Sequence, residues 1–159
     1  MTAYAGQTML ASLVDRLENP PMFAGYQSAA QSIPNVTVTA VTMDTEEFDT
    51  YNGHSTVSNT SRYTAQFAGY YLVICYAGFA ANSTANRYVE VWKNGTSGPN
   101  LGQSIIFTPT SFTNSALHSI TLVRLEVADY VECRAFQNSG GALNTNPAQT
   151  GMAVFWMHA

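Results

Sequence analysis

Four carboxylates fall within six residues of this chain: Asp44, Glu46, Glu47 and Asp49, in the stretch DTEEFD. Carboxylate oxygens at that density can hold a hard cation such as calcium. The stretch lacks the ligand order of a known calcium loop, so the sequence favours a solvated acidic loop between strands, and calcium is the only cofactor it suggests at all. His54, His118 and His158 are the other candidates for chemistry, one in a loop and two in strand-like runs. None stands beside a Ser or Cys in a recognisable nucleophile setting, and there is no Gly-rich phosphate loop, zinc motif or dinucleotide fingerprint. The expectation is a protein that is not an enzyme, with no catalytic residue assigned. Cys75 and Cys133 both fall in strand-like runs without metal-ligand spacing. Without a secretory context, two small buried hydrophobes is the favoured reading and a disulfide the alternative.

Composition limits the partners. Charged residues make up 10% of the 159, against about 25% in an ordinary soluble domain. Ser, Thr, Asn and Gln together supply 50 residues, so hydroxyls and amides cover a surface suited to packing against copies of itself. Six basic residues in a chain of net charge -4 cannot form a phosphate-tracking stripe, which excludes nucleic acid as partner. No stretch approaches 18 uninterrupted apolar residues, so no membrane insertion is expected. The first thirty residues lack the basic and apolar regions of a secretory signal, and the chain is expected to be made in a cytoplasm.

Residues 8–18, TMLASLVDRLE, place Met9, Leu10, Leu13, Val14 and Leu17 at the spacing of one helical face, and Asn19, Pro20 and Pro21 stop the pattern. A helix this short is marginal alone and must dock on something. Residues 1–33 are therefore expected to form a helix and attachment arm, and residues 34–159 a separate head. The head reads as β throughout. Val36, Val38 and Ala40 alternate with Thr37 and Thr39 until Val41 and Met43 shift the phase, which suggests two short strands about a bulge. Strand-like runs recur around residues 62–67, 70–79, 89–91, 117–125 and 131–136, separated by Asn52-Gly53, Asn94-Gly95, Ser97-Gly98-Pro99, Gly140-Gly141 and Asn146-Pro147. Many short strands between turn formers predict an antiparallel sandwich or barrel. In residues 70–79 both alternating sets are apolar. One face of a sandwich strand ordinarily meets water, so the second face needs cover, from a neighbouring subunit or from the chain's own N-terminal segment or a long loop.

The stretch YTAQFAGYYLV (63–73) resembles the signature strand of the complement C1q-like and tumour-necrosis-factor-like jelly-roll superfamily. FDTYN upstream, and VEVWKNG, LVRLEVADYVEC and GMAVFWM downstream, stand in the order of that family's other blocks, with Ala128 where the family usually has Gly. The resemblance implies an all-β antiparallel jelly-roll sandwich that packs as a homotrimer, with Tyr63, Tyr70, Tyr71, Tyr76, Tyr88, Phe155 and Trp156 as candidates for the threefold axis or the core beside it. The Ala128 departure implies a looser turn, or one of another type. TAYAGQTMLASLVDRLENPP, ahead of the head, resembles the opening of structural proteins of tailed bacteriophages, especially those of actinobacteria. Together these imply a non-enzymatic trimeric protein of the virion surface, assembled in the host cytoplasm and decorating the capsid through its arm. The alternatives are a minor tail protein whose loops at 80–86 and 138–147 recognise a host-surface carbohydrate, and a bacterial C1q-like lectin or adhesin. The expected partners are further copies of the chain and a major capsid or tail protein.

Overall fold

Residues 69–79 form an eleven-residue strand inside the larger of two sheets. In the computed structural model the protein is described over residues 11–98, 101–107 and 115–159. One helix, α1 (Ala11–Glu18), precedes β1 (Met22–Tyr26), β2 (Ser32–Ile33), β3 (Thr39–Ala40), β4 (Thr45–Asp49), β5 (Arg62–Thr64) and β6 (Gly69–Phe79). Then follow β7 (Asn86–Lys93), β8 (Gln103–Phe107), β9 (Ser115–Leu125), β10 (Tyr130–Gln137) and β11 (Leu143–His158). One sheet runs β4-β1-β11-β6-β9 with β2 on β11; the other runs β3-β10-β7-β8 with β5 on β10. All the pairings are antiparallel. This is an antiparallel sandwich, one of the two forms that the strand pattern predicts, and the jelly roll that the resemblance implies.

The core follows from the period of two. Tyr71, Val73, Cys75, Ala77 and Phe79 of β6 point inward and are fully buried, meeting Val89 and Val91 of β7 and Val131, Cys133 and Ala135 of β10. Leu125, Met152 and Val154 extend the same layer. Cys75 and Cys133 form a disulfide that ties the two sheets through the middle of this core. That corrects the reading of two free thiols. The sequence pattern placed both residues in strand-like runs but could not show that the two strands face each other across the core.

Three further corrections concern boundaries. The division at residue 33 does not hold, because β1 and β2 belong to the six-stranded sheet. Met22 to Tyr26 pair with β11 along their whole length, and Phe23 is buried in the core. The alternation beginning at Val36 is not a strand either: Val36 is exposed, adopts φ 55° and donates its N–H to the Gln137 carbonyl at 2.8 Å, leaving Thr39–Ala40 as the paired segment. Val41 and Met43 are nevertheless buried, so the phase shift did mark the entry to the core. Asn146-Pro147, read as a turn, lies within β11, where the register against β6 breaks between Asn146 and Gly151.

At the β9–β10 turn, Ala128 adopts φ 71°, so the position is left-handed, as its usual glycine would allow. The turn is not loose. Asp129 N donates to Glu126 O at 3.0 Å and Ala128 N to Ala65 O at 2.9 Å. The Asp129 carboxylate also accepts from Lys93 Nζ and from Asn94 Nδ2, both at 2.7 Å, and the Lys93 hydrogen bond, first among these, holds its pKa down to about 2. Ala128→Gly relieves the left-handed strain but frees the unfolded chain, a net gain of about 0.5–1 kcal/mol. The expected result is a melting temperature higher by about 2 °C, and a fall on calorimetry would overturn it.

Candidate assembly interface

The outward faces of the two sheets differ in kind. On the five-stranded sheet the protein covers itself. Glu132, 1% exposed, accepts hydrogen bonds from Arg134, Arg62 Nε at 3.2 Å and Ser61 Oγ at 3.0 Å. Burial raises its pKa, but the two guanidiniums outweigh that and hold the carboxyl below its ordinary value. Each guanidinium in turn lies over a ring, Arg62 over Tyr130 at 4.1 Å and Arg134 over Trp92 at 4.6 Å. Tyr88 stacks on Phe136 with ring centroids 4.6 Å apart.

On the six-stranded sheet the outward face is apolar and open. The register aligns Phe48, Ala24, Ala153, Ile74 and Ile120 across five strands, and beside them Met22, Phe155, Leu72 and Leu122. Ile120 and Leu122 are 61% and 62% exposed, and Phe48, Tyr26 and Tyr70 are also exposed. Between β4 and β6 the face carries the small residues Ala24, Ala153 and Gly151. Gly151 has a specific cause: any side chain there would run into the Gly25 carbonyl and the Tyr76 ring. Polar groups edge the apolar field. Arg124 lies over Tyr70 at 5.5 Å, His158 sits 5.1 Å from the same ring, and His118 stacks on Tyr76 at 6.1 Å.

The sequence-predicted residues divide among three places. Tyr70, Tyr76 and Phe155 are on this open face. Tyr63, Tyr71 and Trp156 are in the core, where burial raises the Tyr63 pKa and pushes Tyr71 up to about 12; Tyr71 donates to the Phe67 carbonyl at 2.7 Å and Trp156 Nε1 to the Ala68 carbonyl at 3.3 Å. Tyr88 is on the opposite sheet. Ile120 and Leu122, which dominate the open face, were not singled out, although the alternation of residues 117–125 carried the signal. Of the helical candidates, Met9 and Leu10 lie outside the described residues; Leu13 is in α1, Val14 is half-buried and Leu17 is exposed. Arg16 of α1 lies over the Phe67 ring at 4.8 Å.

The acidic stretch is dispersed among separate partners. Ser28 Oγ and N donate to Asp44 at 2.7 Å and lower its pKa, Glu46 bonds His54 Nδ1 at 2.7 Å, and Asp49 accepts from His54 N at 2.7 Å. Glu47 is exposed. Among the described residues no three metal-donor side chains converge. His54 is buried, with Nε2 3.0 Å from the Thr60 carbonyl, and pins the 50–61 loop. Among the described residues, none of the three histidines shares a hydrogen bond with a Ser, Thr or Cys side chain.

The whole sandwich, with β11 between β1 and β6, superposes on several solved structures. The globular domain of zebrafish complement 1qA protein superposes with a TM-score of 0.65 at 15% identity, over 87% of this chain and 98% of that one. The fold is the C1q/TNF jelly roll. Murine APRIL gives a TM-score of 0.64 at 15% identity over 86% of this chain and 98% of that one. The TNF Eiger from S. frugiperda gives 0.53 at 13% over 86% and 90%. No protein-family model matches the sequence, and no curated protein matches it. In this C1q/TNF jelly roll the open face is the outward side of the sheet that carries both the first and the last strand.

Proposed function

We propose that the protein is a non-enzymatic homotrimer of a bacteriophage virion surface, decorating the capsid through the segment ahead of β1. The observation that carries the reading is the apolar field of Ile120, Leu122, Tyr70, Leu72, Ile74 and Phe155, which a C1q/TNF jelly roll covers by packing against two further copies. Covering a leucine or isoleucine fully is worth about 1.5–3 kcal/mol, so a face of this size favours assembly strongly. The phage setting rests on the resemblance of residues 2–21 to virion proteins and on the uncharged hydroxyl and amide surface. The chain is then assembled in the host cytoplasm and works outside it, where the Cys75–Cys133 disulfide persists.

A second reading has an observation of its own. Arg87, fully buried, donates to the carbonyls of Asn82 and Thr84 at 2.9 and 2.7 Å and fixes the 80–86 loop. Gln137 does the same for the 138–147 loop, donating to Gly141 O at 2.8 Å and accepting from Ser139. Loops held this firmly are preorganised for recognition, as a minor tail protein reading a host-surface carbohydrate would need. One experiment separates the readings. Deleting residues 1–19 spares the Pro20 and Pro21 carbonyls, to which Thr50 Oγ1 and Trp156 N donate, so the head should remain folded and trimeric. The truncated protein is expected to lose binding to capsids. Retained decoration would refute the arm, and glycan binding by the truncated head would favour the tail reading.

A further inference from the structure

Glu90 is 9% exposed, and among the described residues it forms no ion pair. The chain has six Lys and Arg residues, and the ion pairs of the described residues take most of them elsewhere; Arg134 stands directly across from Glu90 in the register but pairs with Glu132. Arg62 and Arg134 hold Glu132, Lys93 holds Asp129 and Arg124 holds Glu126. Arg87 is spent on loop carbonyls, and Arg16 lies over Phe67. Glu90 has instead two neutral donors, Trp92 Nε1 at 2.6 Å on Oε1 and Gln103 Nε2 at 2.9 Å on Oε2. A buried carboxylate satisfied only by neutral donors keeps much of its cost of desolvation.

The carboxylate faces a cleft of about 620 Å³ where the β7–β8 edge of one sheet approaches β9 of the other. Ser97, Leu101, Gly102, Gln103 and Thr121 line it with Glu90. Its floor is backbone, because a methyl group at Gly102 would stand 2.8 Å from the Ile120 carbonyl. The volume lies within the range of small-molecule sites. Among the described residues no three metal-donor side chains converge, so Glu90 lacks the further carboxylates with which proteins usually hold a hard divalent cation. A neutral sugar would need an aromatic platform, but the Trp92 indole N–H is committed to Glu90 and Arg134 lies over its ring. What remains is a hydrogen-bonding organic cation.

We propose that the Glu90 cleft binds a primary ammonium group, carried by a small polar molecule or by a lysine side chain, with the carboxylate as counterion and Ser97 and Gln103 bonding its neighbouring polar atoms. The test is calorimetric titration of the full chain with glucosamine, with glucose as the uncharged match, and with Nα-acetyl-lysine methylamide. At least one ammonium probe is expected to bind, about tenfold or more tighter than glucose, and Glu90→Gln to weaken it by about tenfold or more, the worth of one charge-assisted hydrogen bond. Binding of glucosamine alone assigns a free small amine; binding of the lysine analogue alone assigns a protein side chain. Failure of both probes, equal binding of glucose, or unchanged affinity in Glu90→Gln overturns the proposal. If Glu90→Gln fails to fold, Ser97→Glu decides: a second carboxylate at this exposed rim position should tighten ammonium binding several-fold, and no change refutes the site.

Discussion

Ile120→Asp combined with Leu122→Asp is expected to convert the assembled protein into a folded monomer. Both side chains point out from β9 and are more than half exposed in the single chain. The substitutions therefore remove nothing from the core, and the melting transition of the monomer should survive. In the assembly the same positions would bury two carboxylates per subunit against apolar neighbours, with Arg124 already engaged by Glu126. An unpaired buried charge costs several kcal/mol, and symmetry repeats that cost at every interface. Light scattering after size exclusion is the measurement. The wild type should give about three times 17.2 kDa and the variant about 17.2 kDa. A variant that keeps the larger mass would move the interface off this sheet.

Removing the disulfide, by Cys75→Ala with Cys133→Ala, should have the largest effect on stability. The bond closes a loop across a sequence separation of 58, for which chain entropy gives about 4 kcal/mol. For a domain of this size that lowers the melting temperature by roughly 10 °C. Because both sulfurs are fully buried, reductant should act on the wild type only after the sandwich opens, so mild reduction of the native protein should be slow. A double variant that melts within a degree or two of the wild type would show that the cross-link adds little to the packing of the two sheets.

The sheet architecture was legible because alternation is a local signal. The two-sided run at 70–79, the alternation of 117–125 within β9 and the Asn-Gly separators at 52 and 94 all read directly. What was missed depends on contacts between distant residues. MFAGY at 22–26 was left out of the head because Ala24 and Gly25 mute its alternation and only pairing with β11 makes it a strand. Arg87 reads as a surface residue until the loop carbonyls close over it, and the cysteines read as separate until two sheets face each other. The open face was half legible: the aromatic residues drew attention to β6, while the exposed aliphatics of β9 looked like ordinary strand alternation.

The position of β11 sets the order in which the nascent chain can acquire structure. It lies between β1 and β6, so the earliest strand of the sandwich has only β4 for company until Leu143 to His158 have emerged from the ribosome. Until then the six-stranded sheet exists as two separated pieces, β1–β4 and β6–β9, each with an unpaired inner edge. Such non-local closure is intrinsically slow and leaves strand edges open to other chains. Closure of the six-stranded sheet therefore waits for β11, and on a polysome making several copies the waiting edges of neighbouring chains are the first competitors for it.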